Sequence, residues 1–321
     1  MPRLAALILT ALLLAACAGD RQTPGSRLAG QIYDVGQARF IDEEELVARL
    51  AWAEFVLLGE SHANPEHHRL QEHVVRALEA QGGRPRAIAF EMMGTDQQLA
   101  IVEHLQARPG DAAGLGEAVS WRSSGWPEWG LYEPIAQAGL DAGSQIVAAN
   151  LARGDARAVF DQGLAVLRTP VVERTGLDER LPDPLATSLK DELAASHCGD
   201  ISSATVDGMF RVQRARDATM ADRLAATSGA GGGILIAGAA HVRKDRGVPW
   251  YLRRLRPQAS IASLAFLEAG TELDSGLANL PFDFVWFTET ADTSDPCADF
   301  EIPSPPADAA FRPAPRHGPA G

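Results

Sequence analysis

The sequence predicts an α/β fold built on a mostly parallel sheet that helices cover on both faces. Two observations predict it. Short, continuously apolar runs recur between residues 55 and 288, and a strand apolar on both faces is one that needs cover from both sides. The stretches between the runs carry helix-start signals and are mostly long enough for crossover helices, which parallel strands require. Phe55-Val56-Leu57-Leu58-Gly59 reads as a buried strand, and Asn64-Pro65 then caps and starts a helix to about Ala80. Ala87 to Glu91 is a second strand, and Thr95-Asp96-Gln97-Gln98 looks like a capping box for the next helix. Pro134 is expected to start another helix, before a strand from Gln145 to Ala149 and a helix from about Asp155. Helices at 184–197 and 202–227 precede a strand from Ile234 to Ala237, a short helix at 249–255, and strands near 260–267 and 282–288.

The ends of the chain read differently. Leu4 to Ala16 form an apolar run after Arg3, too short to span a bilayer, as in a signal segment over 1–16. Leu14-Ala15-Ala16-Cys17 resembles the bacterial lipobox, whose cysteine becomes a lipid-modified N-terminus. Each buried acyl methylene contributes about 0.8 kcal/mol, so more than one chain anchors stably. Ala18 is not the aspartate of an inner-membrane retention signal, so a lipid anchor in the outer membrane is the expected address. Residues 17–31 then form a polar tether, 32–290 one α/β domain, and 291–321 a Pro-rich tail expected to be disordered.

Composition sets further bounds. A formal charge of −13 argues against nucleic acid as a partner, since that needs a clustered basic surface. The 46% hydrophobic content suffices for a sizeable core. Besides Cys17 there are Cys198 and Cys297; an oxidising compartment would let them pair, but the sequence leaves their spacing open.

One local pattern occurs twice. Gly59-Glu60-Ser61-His62 and Gly238-Ala239-Ala240-His241 each place a glycine at the end of a buried strand and a histidine just past it. In open α/β sheets ligands bind at those strand ends. Glu91 ends a third strand in the same way. If the three strands are neighbours, Glu60, His62, Glu91 and His241 converge on one rim, where two imidazoles and two carboxylates could bind a divalent metal or act as acid and base. His67, His68 and His73 on the following helix read as a solvated face, contributing at most one residue to a site. Trp121, Trp126, Trp129 and Tyr132 crowd a Gly-, Ser- and Pro-rich segment not expected to be a regular element. They serve either burial or a flat hydrophobic ligand. His241-Val242-Arg243-Lys244-Asp245-Arg246 is the basic cluster nearest the rim, either an exposed turn or a partner for an anionic group. On the helix from 202, Met209 and Met220 read as core filler, and Arg216-Asp217 as a brace for the site.

LLGESHANPEHHRLQ (57–71), AIAFEMM (87–93), the Trp-rich run into Tyr132-Glu133-Pro134, VQRARDATMA (212–221) and GAAHVRKDRGVPWYL (238–252) together resemble the ChaN-like haem-binding lipoproteins of the Tiki superfamily. The resemblance implies a three-layer α/β/α fold with a mixed sheet, and a surface lipoprotein that binds haem in iron uptake. It further implies tyrosine on the iron and cofacial pairing of two copies as a homodimer. Tyr132 and then Tyr251 are the candidate ligands, with Tyr33 outside the matching stretches, and Arg243 would suit the propionates. Some Tiki relatives are proteases with a paired Gly-x-x-His and glutamate arrangement, which Glu60, His62, Glu91 and His241 match. The alternative is therefore a metal-dependent hydrolase, with His62, His241 and Glu91 as ligands.

Overall fold

The computed structural model describes residues 28–291, apart from 84, 168, 200, 230 and 271–275, together with Cys297. Cys17, the signal segment, the tether up to residue 27 and the tail beyond 291 except Cys297 lie outside the described residues.

The described strands form one sheet in the order β2-β1-β8-β7-β3-β6-β4-β5. Its parallel part comprises β3 (Phe55–Glu60), β4 (Ala87–Gly94), β5 (Ile146–Asn150), β6 (Gly233–Gly238), β7 (Ile261–Glu268) and β8 (Phe284–Thr288). A hairpin of β1 (Ile32–Asp34) and β2 (Arg39–Ile41) adds an antiparallel edge against β8. The sheet is thus mixed and mostly parallel, as expected.

Alternation along each strand sends side chains into two cores. Val56, Leu58, Ile88, Phe90, Ile234 and Ile236 face a core shared with α1 (Glu43–Ala51), α2 (Pro65–Ala80), α3 (Gln98–Ala107), α4 (Ala112–Ala118) and α5 (Trp129–Asp141). Phe55, Leu57, Ala89, Leu235 and Ala237 face the other, shared with α6 (Arg153–Gln162), α9 (Ser203–Thr227) and α10 (Val248–Leu255). Two buried helical layers around one sheet make the three-layer α/β/α fold. The remaining helices, α7 (Thr169–Thr175) and α8 (Asp183–Ala195), pack on α9.

Local chemistry explains most boundaries. Asn64 caps α2, its side chain accepting from the Glu66 N–H at 3.0 Å, and Pro65 opens the helix where no N–H is needed. Ser202 caps the 25-residue α9 in the same manner. Three expectations differ. The helix expected from Pro134 begins at Trp129, so Tyr132 and Pro134 both lie inside α5. The segment 95–98 holds half a capping box: Gln97 Oε1 accepts from the Gly94 N–H, but Thr95 starts a 3-10 turn before α3. Residues 28–31, expected in the tether, belong to the sheet edge: Gly30 N–H donates to the Phe287 carbonyl and Phe287 N–H to that of Gln31.

Cys198 and Cys297 form a disulfide across a sequence separation of 99, which ties the end of α8 to the chain following β8. No helix among the described residues is long and apolar enough to cross a membrane.

Candidate functional site

β6 lies between β3 and β4, so the three strand ends expected to carry the site are immediate neighbours. Their glycines interlock. A Cβ on Gly59 would stand 2.3 Å from Val242 Cγ2 and 2.9 Å from Ala239 Cα, because the turn after β6 lies against it. A Cβ on Gly238 would stand 3.0 Å from His62 Nε2. Each motif's glycine therefore makes room for the other motif.

Glu60, His62, Glu91 and His241 do converge. Glu60 is buried, and its Oε1 accepts from His62 Nδ1 and from the Tyr132 hydroxyl, both at 2.8 Å. His68 Nδ1 stands 3.0 Å from Glu60 Oε2, while its Nε2 donates to the His62 carbonyl at 3.0 Å. On the far side, Glu91 Oε2 accepts from the Gly238 N–H at 2.7 Å and stands 3.8 Å from His62 Nε2. Its Oε1 lies 3.1 Å from His241 Nε2, and His241 Nδ1 meets Asp217 Oδ1 at 2.6 Å. The result is a relay, Tyr132–Glu60–His62–Glu91–His241–Asp217, whose His62–Glu91 step, at 3.8 Å, is longer than a hydrogen bond. Within the quartet, His62 is the partly exposed member, with 31% of its side-chain surface accessible.

The relay fixes its own charges. Burial works against the Glu60 carboxylate, but hydrogen bonds from His62 and His68 outweigh it and hold its pKa below the usual range. Burial likewise opposes Glu91, yet the neighbouring His241 imidazolium pulls it down to about 2. Burial would deprotonate His241, but Glu91 and Asp217 on its two sides raise it to about 10. Burial pushes Asp217 up to about 6 despite His241. His62 is raised too, the Glu60 hydrogen bond and the Glu91 charge overcoming its burial. The site thus favours ionised Glu60 and Glu91 and a protonated His241.

The histidines of α2 depart from the solvated face expected of them. His67 and His68 are buried, and only His73, paired with Glu43, remains exposed. His67 Nδ1 accepts from the Ser61 N–H and its Nε2 donates to Thr288 Oγ1, both at 2.9 Å. Burial lowers its pKa to about 4, consistent with a neutral ring. One signal in the sequence bears on these roles: the N-cap at Asn64 puts positions 67 and 68 in the first turn of α2, a few residues past the end of β3. Asp217 braces His241 as expected, whereas Arg216 makes no hydrogen bond or ion pair among the described residues.

The tryptophans wall an open cavity of about 1190 Å³, lined by Trp121, Trp126, Trp129, Gly116, Pro127 and Gly130 among others. Trp121 and Trp129 are fixed by donating their indole N–H groups to the Pro127 and Ala112 carbonyls. Trp126 stands edge-on to His62, ring centroids 4.8 Å apart, and so joins the cavity to the relay. Trp121 and Tyr132 are buried, and the three tryptophans line the cavity.

None of the chain's three tyrosines is among the residues that line this cavity. Tyr132 is fully buried, and burial together with the Glu60 charge raises its pKa well above the usual phenol range, keeping it protonated. Tyr251 is also fully buried, accepts from Arg214 Nε at 3.1 Å, and is pushed by burial up to about 12. Tyr33 is buried in β1. Arg243 closes on Asp245, Lys244 on Asp283 and buried Arg246 on Glu192, so the basic cluster is spent within the fold and none of the three lines the cavity. Among the described residues, no group of three or more His, Cys, Asp or Glu side chains is placed to hold a metal ion.

ChaN of Campylobacter jejuni, solved with cofacial haem, has the same fold: it aligns with a TM-score of 0.64 at 21% identity, over 79% of this chain and 95% of that one. An erythromycin esterase, EreC, aligns over 76% of this chain and 77% of its own at 17% identity, with a TM-score of 0.39. No curated protein matches the sequence. The family model for haem-binding uptake proteins of the Tiki superfamily, ChaN, matches residues 46–252, which spans the relay, the tryptophan cavity and both Gly-x-x-His motifs. The chain therefore belongs to the ChaN family of haem-binding uptake proteins in the Tiki superfamily.

Proposed function

We propose that this chain binds haem against the tryptophan-walled cavity, held at an envelope membrane by lipid on Cys17, in the service of iron uptake. The observation that carries the reading is the cavity itself: about 1190 Å³ of open space walled by Trp121, Trp126 and Trp129 and adjoining His62, in a chain of the ChaN family. Such a volume exceeds the roughly 300–1,000 Å³ of ordinary small-molecule pockets and suits a large planar ligand. Haem would bring an iron centre able to take a donor from the protein. With the three phenols of this chain buried, that contact falls to His62, the partly exposed imidazole beside the cavity. Glu60 holds His62 Nδ1, which fixes the ring's orientation. The implied homodimer would cover the open side of the cavity.

Haem titration of the full chain tests this. A Soret band that saturates at stoichiometric haem, and shifts in His62→Ala and Trp126→Ala, is the expected result. Failure to saturate would overturn the reading. The anchor has its own test: Cys17→Ser should move the chain from the membrane to the soluble fraction, and a variant still in the membrane refutes lipidation.

A second reading, hydrolysis at the rim, is favoured by one observation. Glu60–His62 and Glu91–His241–Asp217 are carboxylate–imidazole pairs of the kind that move protons. Ester or peptide hydrolysis lost in His62→Ala, without haem saturation, would select it.

A further inference from the structure

A second, smaller cavity opens beside the tryptophan cavity, at the carboxyl ends of β4 and β5. It measures about 250 Å³ and shares Ser120, Ser123 and Trp126 with its neighbour, so the two are contiguous. Its lining is rich in unused donors. Arg216 lines it without a hydrogen bond or ion pair among the described residues, and its Nε is buried with no partner. Asn150 is 6% exposed; its Oδ1 accepts from the Leu151 N–H, which leaves the side-chain NH2 without a hydrogen bond. Arg153 spends one nitrogen, Nη1, on the carbonyls of Ser123 and Ser124 at 3.2 Å each and keeps the rest of its guanidinium.

The acids nearby do not answer these donors. Glu91 also lines the cavity, but His241 and the Gly238 N–H already hold its two oxygens. Asp96 is exposed at the mouth, where solvent screens it. A partly buried guanidinium without a partner is costly, and the group that best relieves it is a carboxylate, which accepts from arginine in a bidentate fork. The cavity falls below the roughly 300 Å³ at which ordinary ligand pockets begin, so it holds an arm of a ligand rather than the whole.

We propose that Arg216, Asn150 and Arg153 form a carboxylate subsite that takes an acid arm of the ligand lying in the tryptophan cavity. The inference rests on the haem reading, in which that arm is a propionate. It moves the anion-binding role from the cluster at Arg243 to the opposite side of the rim, on β5 and the helices that cover it.

Haem and haem dimethyl ester, whose propionates are blocked, serve as probes against the full chain in detergent. Wild type should bind haem about tenfold more tightly than the diester, the scale of one charge-assisted hydrogen bond. Arg216→Met should erase that difference, weakening haem about tenfold and leaving the diester unchanged, and Arg216→Lys should restore part of it. Arg153→Met provides the same comparison, with an effect of about threefold, should the Arg216→Met variant melt early. Equal wild-type affinity for haem and diester overturns the subsite while haem binding stands. So does a loss of both ligands together in a variant that keeps the wild-type melting temperature. Wild type that binds neither probe overturns the haem reading and the subsite with it.

Discussion

Tyr132→Phe separates two roles that the same residue could play. The substitution deletes one oxygen from a fully buried ring and leaves its packing against Trp121 and His68 in place. The lost hydroxyl donates to Glu60 Oε1 at 2.8 Å. A hydrogen bond to a charged acceptor contributes about 1.5–3 kcal/mol. Glu60 keeps His62 and His68 as partners, so the carboxylate is not orphaned and the lower figure applies. For a domain of this size, about 1.5 kcal/mol lowers the melting temperature by roughly 3–6 °C. Urea and thermal unfolding at pH 7 measure the loss, and a parallel haem titration measures binding. The expected outcome is reduced stability with an unchanged Soret maximum and stoichiometry. A variant of wild-type stability that has lost its Soret band would put the phenol on the iron and refute the reasoning.

The charged relay makes stability depend on pH in a defined window. His241 is raised to about 10 in the fold, so its contribution is complete below about pH 6.5 and is lost as pH rises through 10. Glu91, at about 2, is depressed; its contribution is complete above about pH 4.5 and lost only as pH falls. Asp217, at about 6, has mostly titrated by pH 6.5. The unfolding free energy should therefore decline between pH 6.5 and 10 in wild type, and a His241→Gln protein with the same slope would count against it. Reducing the Cys198–Cys297 disulfide releases a separation of 99 residues, which the chain-entropy account puts at about 4–5 kcal/mol. An unfolding midpoint indifferent to reductant would contradict this. Gly59→Ala and Gly238→Ala should differ. The first meets Ala239 Cα, which cannot give way, and should cost about 1–3 kcal/mol. The second meets the partly exposed His62, which can swing aside, so haem affinity should fall more than stability.

The strands were legible because a sheet covered on both faces needs continuous apolar runs, and the doubled Gly-x-x-His marked their ends. What stayed hidden depended on three-dimensional pairing. Helical offsets placed His67 and His68 at a solvated face, since nothing in the local pattern shows that the first turn of α2 dips onto the end of β3. The Trp-, Gly-, Ser- and Pro-rich sequence before Pro134 resembles a loop; burial of Tyr132 and Ile135 outweighs that composition, and α5 begins at Trp129. β1 and β2 are three residues each, too short for a periodic signal. The buried tyrosines could not be seen either, because burial of a phenol is decided by its neighbours.

The route by which the chain enters the sheet bears on how the protein would sit at a surface. Residues 30 and 31 bond to Phe287, near the carboxyl end of β8, and β1 then runs antiparallel away from it. The domain is therefore entered from the edge that carries the relay, with β8 two strand spacings, about 10 Å, from β3. From Cys17 to Leu28 a chain can reach at most about 40 Å. With Cys17 anchored as proposed, Leu28 would stay within that distance of the bilayer and the end of the sheet that carries the relay would be the end tied to it, where a sparingly soluble ligand leaving the lipid phase is first met. Spacers inserted between residues 18 and 27 would lengthen the reach without altering the rim. Undiminished haem capture from vesicles by such variants would show that proximity plays no part.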